Sequence, residues 1–151
     1  MASSSDPKTG QPIFGYHEPG FNHVGSYQVS CRPFASASVE VPASASDTGL
    51  AIDFPGVTKF VIVRNEEHEG IADSKVRLAF ASGGLNDPNA NYILINPSSS
   101  FSADYRVTKV YVMSDTSVQP KVSIIAGITN IKAARVPSGS WEDTVGVDKS
   151  S

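Results

Sequence analysis

The chain has 151 residues, a formal net charge of −3, 40% hydrophobic and 18% charged side chains, and counts of 12 Gly, 10 Pro and a single Cys. That length suits one domain with a core large enough to need no covalent staples, and the Pro and Gly content argues against long helices. One cysteine excludes an intrachain disulfide framework, the absence of a Lys/Arg cluster makes nucleic acid a poor partner, and the longest aliphatic run, "VSIIAGI", is far short of a membrane helix.

The N-terminus, "MASSSDPKTGQP", has neither the basic nor the apolar region of a secretory signal, so synthesis in a reducing cytoplasm is expected. Residues 1–25 combine Pro7, Pro12 and Pro19 and four glycines with Ile13, Phe14, Tyr16 and Phe21. Prolines and glycines at this density oppose regular structure, while a purely solvated tail would not carry so many large apolar side chains. An extended arm lying on an apolar surface, its own or a neighbour's, accounts for both.

From residue 26 to 132 the pattern is that of short strands. "SYQVSC" alternates Tyr27, Val29 and Cys31 against Ser26, Gln28 and Ser30, which predicts a half-buried strand with Cys31 in the interior. "ASVEV", the run 50–54 before Pro55-Gly56, "KFVIVRN", "KVRLAFAS", "NYILIN", "RVTKVYVMS" and "KVSIIAGIT" continue the series, each followed by turn residues. The sequence also echoes itself. "VTKFVIVRN" at 57–65 returns as "VTKVYVMSD" at 107–115, and "KVRLAFAS" at 75–82 as "KVSIIAGI" at 121–128, which suggests two similar hairpins, one for each half of a sandwich. The expected fold is all-β: an antiparallel β-sandwich, jelly-roll or Ig-like, of about eight strands with extended N- and C-terminal arms. Residues 133–151 form the second tail, where Trp141 is the candidate anchor.

Chemistry-bearing residues do not assemble into a known catalytic pattern. Cys31 has only His17, His23 and His68 as possible bases, and nothing in the pattern brings one to it. Glu66, Glu67, His68, Glu69 and Asp73 crowd one loop, but without zinc or calcium spacing they read as a solvated hairpin tip. "GGLNDPNAN" at 83–91 lacks the lysine and helix of a phosphate loop, and Glu40, Asp53 and Asp104 sit at ordinary polar-face positions rather than as a paired acid and base. No enzyme activity, cofactor or metal is therefore expected.

Two elements carry a resemblance. His23, Gly25, Tyr27, Gln28, Val29, Ser30 and Pro33 match an "H-x-G-x-Y-Q-V-S-G-x-P" segment, and Phe54, Pro55, Val57, Thr58 and Lys59 match "F-P-x-V-T-K". With "VRLAF" and a late "GITNI", residues 23–131 thus resemble a group of small virion structural proteins of tailed phages, especially phages of marine and aquatic bacteria. The chain departs from that group at Cys31, where glycine is usual, and in its third element. The resemblance implies a place in the virion without fixing it to the head surface, the neck or a fibre base; the expected role is a capsid decoration or cement protein on the capsid surface, present in the host cytoplasm during assembly. Its partners would be the major capsid protein and neighbouring copies of itself, as a homo-oligomer on the particle. Ile13, Phe14, Tyr16, Phe21 and Trp141 are the expected partner-binding residues. The alternatives are a neck or tail-fibre-associated structural protein and a lectin-like carbohydrate-binding sandwich that stacks sugar on Tyr92, Tyr105 or Tyr111.

Overall fold

The computed structural model describes residues 19–44, 49–67, 74–86 and 91–133. A single helical turn, α1 (Val24–Gln28), precedes eight strands: β1 (Arg32–Glu40), β2 (Leu50–Asp53), β3 (Thr58–Asn65), β4 (Val76–Ala79), β5 (Ile93–Ile95), β6 (Ser100–Ala103), β7 (Lys109–Ser114) and β8 (Lys121–Ile128). They form two antiparallel four-stranded sheets, the first ordered β1-β8-β3-β6 and the second β2-β7-β4-β5. Strand β1 pairs with β8, β2 with β7, β3 with β6 and β4 with β5. This is a ribbon of paired strands wrapped around one core, so the fold is the jelly-roll form of the sandwich.

The echoing segments do not form two hairpins. Strands β3 and β4 lie in opposite sheets, as do β7 and β8, and the cross-pairs are β3 with β8 and β4 with β7. Each echo therefore gives one strand to each sheet, because the connections after β3 and β7 cross between sheets instead of turning back within one.

Alternation places the core. Val61 and Val63 of β3, Val76 and Leu78 of β4, Val110 and Val112 of β7, and Val122, Ile124 and Ala126 of β8 are all fully buried between the sheets. Phe34 meets Phe54 edge-on at 5.2 Å, a favourable aromatic geometry. In β1 the register shifts between Ser36 and Val39, and Ser38 has φ 55°. This bulge inserts a residue that lets Phe34 and Val39 both pack on the core from one strand.

The "SYQVSC" segment is not a strand. His23 caps α1, accepting from the Ser26 backbone N–H at 3.2 Å with its Nδ1 2.7 Å from Ser26 Oγ. Tyr27 then donates to the Phe21 carbonyl at 2.5 Å. These local hydrogen bonds and the Arg106 contacts described below outweigh a strand pattern written by only three side chains. Val29 is 58% exposed, and Cys31 is half-buried rather than interior.

Candidate interaction surface

Both sheets present apolar side chains on the face turned away from the core, but only one of these faces is covered by the described chain. On the second sheet, Ala79 of β4 and Tyr111 and Met113 of β7 point outward and are nonetheless buried. Leu85, itself fully buried, packs over them, with Tyr92 beside it; both come from between β4 and β5. Arg77 fastens this cover: its Nε donates to Asp115 at 2.7 Å, its Nη1 to the Leu85 carbonyl at 3.1 Å, and its guanidinium stacks 4.7 Å from the Tyr92 ring centre. Gly49 lies beneath, where a Cβ would come within 2.1 Å of Leu85 Cδ1.

The outer face of the first sheet is different. Register places Ala35 of β1, Ile125 of β8, Ile62 of β3 and Ser102 of β6 in one row across it, with Pro33, Gly127 and Phe60 in the next row. Ile125 is 47% exposed although it sits on an interior strand of the sheet. Among the described residues, a short stretch, 29–31, comes down on this face from outside the sheet, and it does so at one end. Cys31 Sγ occupies the space where a Cβ on Gly127 would stand, 2.4 Å away, and the Phe60 ring closes the other side at 2.6 Å. Lys59 Nζ donates to the Val29 carbonyl at 3.3 Å.

The N-terminal segment is anchored at the same end. Arg106, in the connection after β6, places its guanidinium 4.8 Å from the Phe21 ring centre and 5.7 Å from that of Tyr27, and donates to Asn22 Oδ1 at 2.8 Å. Burial pushes the Tyr27 phenol above its ordinary pKa, and the charge and hydrogen bonding of Arg106 pull it partly back. Residues 20–31 thus cross from the β6 side of the sheet to the start of β1. The C-terminal side leaves close by, since Val57 N–H donates to the Ile131 carbonyl at 3.0 Å and Thr129 Oγ1 to the Val57 carbonyl at 2.7 Å. Thr58, bonded through Oγ1 to the Tyr105 carbonyl at 2.6 Å, ties the Arg106 connection to that end. Both termini leave the described fold at one end of the sandwich.

Of the residues expected to bind a partner, Phe21 is the root of the arm, half-buried under Arg106. Ile13, Phe14, Tyr16 and Trp141 lie outside the described residues. Among the tyrosines considered for sugar stacking, Tyr111 is 8% exposed and Tyr92 lies under Arg77. Tyr105 is 47% exposed, but it meets Phe80 at 77° and Phe101 at 48°, a cluster of tilted rings rather than a flat platform. In the acidic loop, Glu66 accepts from the Ser38 backbone N–H at 3.0 Å and from the hydroxyls of Ser123 and Ser38. These bonds, with Ser123 the largest, hold its carboxyl below the usual range. It braces the β1 bulge at the end opposite the termini. His68, Glu69 and Asp73 fall outside the described residues.

Sequence reasoning found β3, β8 and part of β1 but missed β6 and the open face itself. Its signal was present in "SIIAGI" and "KFVIVRN", where apolar residues occupy both strand faces instead of one. Comparison with protein-family models and with curated proteins found no match.

Proposed function

We propose that the protein is a virion structural protein of a tailed phage, a decoration or cement protein that binds the major capsid protein lattice and stabilises the head. The observation that carries this reading is the open apolar face of the first sheet, with both ends of the described residues, at 19 and 133, beside one end of it. An open sheet face and extended arms spread binding over several modest contacts, and such contacts gain strength when the partner is a repeating lattice. The resemblance of residues 23–131 to small phage virion proteins points the same way. On this reading the protein is made in the host cytoplasm and ends on the capsid surface.

The test is quantitative mass spectrometry of purified particles. A copy number comparable to that of the major capsid protein supports a cement role. A small fixed number moves the protein to the neck or a fibre, and absence from particles overturns the proposal.

A further inference from the structure

We propose that the outer face of the first sheet is the receptor for the N-terminal segment, residues 1–18, of a second copy of this chain, with Ile13, Phe14 and Tyr16 seated on Ala35, Ile62 and Ile125. The inference rests on the virion reading in that it names one of the partners that reading requires.

Three observations carry it. First, a row of apolar side chains running across two interior strands and an edge is open at its centre, where Ile125 is 47% exposed, while the equivalent face of the second sheet is covered by a loop carrying Leu85 and Tyr92. Second, the chain beyond Pro19 holds apolar residues suited to such a row, and fully extended it reaches about 60 Å. That is more than twice the length of an eight-residue strand such as β3, about 26 Å. Third, the arm's root is fixed by Arg106 on the β6 side, and the part of the face nearest that root is already taken by residues 29–31 of the same chain. The open row lies beyond them, accessible to an arm arriving from a neighbour. Exchange of identical arms between copies is a low-cost route to association, because the contact in trans is the one the sequence already encodes.

The test uses the full chain. Sedimentation over a concentration series should show self-association, weakened by about tenfold or more in Phe14→Asp and in Ile125→Asp, since either change puts a charge into the apolar contact. Ile125→Thr keeps the β-branched shape and separates loss of the contact from loss of the sheet; it should weaken association in the same direction. In mixtures of an isotope-labelled copy with a copy carrying a nitroxide at position 17 (His17→Cys, Cys31→Ser), the Ile62 and Ile125 methyl signals should broaden. Broadening only when both labels share one chain means that the arm covers its own sheet, and overturns the proposal. Association that survives Phe14→Asp but not Ile125→Asp shows a different occupant, and also overturns it. A monomer at all concentrations does the same. None of these outcomes bears on the presence of the protein in particles, so this proposal and the virion reading fail separately.

Discussion

The outer faces of the two sheets pose the same physical problem and meet it differently. Each turns apolar residues of its interior strands away from the core. The second sheet buries Tyr111 and Met113 beneath Leu85 and Tyr92 of its own chain, fixed by Arg77, whereas the first leaves Ile125 and its row open beyond residues 29–31. A cover supplied by the same chain becomes part of the folding unit, so removing it costs stability. An open face costs almost nothing when altered in the isolated domain and is felt only when a partner sits on it.

The largest test of that difference is Leu85→Ala. It removes a fully buried side chain from the cover and should destabilise the domain by about 2–5 kcal/mol in chemical denaturation, with the cavity only partly collapsing. A loss below half a kilocalorie would mean that the loop is not part of the core. Next comes Gly127→Ala on the first sheet. The added Cβ would stand 2.4 Å from Cys31 Sγ and 2.6 Å from the Phe60 ring, so about 1–3 kcal/mol is expected from overpacking where residues 29–31 meet the face. Combining it with Cys31→Ala should recover part of the loss; no recovery would place the strain on Phe60 alone. Ile125→Ser, measured dilute, should stay within about 0.5 kcal/mol of the parent stability, because its site is already half in water. A loss as large as that of Leu85→Ala would erase the contrast between the faces.

The smallest effect belongs to Glu66, at the opposite end. Its folded pKa lies below its unfolded value, so its contribution is present above the unfolded carboxylate pKa, near 4.3, and fades as the pH falls through the lower folded value. Glu66→Gln should therefore be slightly less stable than the parent at pH 7, and the gap should close below about pH 4. A gap that is constant with pH would assign the effect to the shape of the side chain rather than its charge.

The legible part of the fold was the set of strands whose apolar residues are β-branched and alternate, above all β3, β7 and β8. Strand β6, "SFSA", carries one aromatic between serines, and is a strand only because β3 pairs with it. The opposite error arose at residues 26–31, where three alternating side chains resembled a strand but Tyr27 and Phe21 are held by Arg106, more than seventy positions away. No local pattern contains that partner. The pairing order was equally hidden, since the echo between 57–65 and 107–115 shows that two strands are alike and not which sheet each joins. For the interaction surface, the arm residues were visible as apolar groups in a Pro- and Gly-rich segment. The open row was not, because exposure depends on which loop lands on which sheet.

The pairing of β1 with β8 also governs how the protein is made. Arg32 lies in register with Ile128, so the first strand waits for the last to leave the ribosome before the first sheet can close, whereas the second needs nothing beyond β7. Until then β3 lacks the neighbour that separates it from β1, and its unpaired edge and valines stand open to other nascent chains. Slow, late-closing folding with sensitivity to crowding at high expression is the expected signature of this topology.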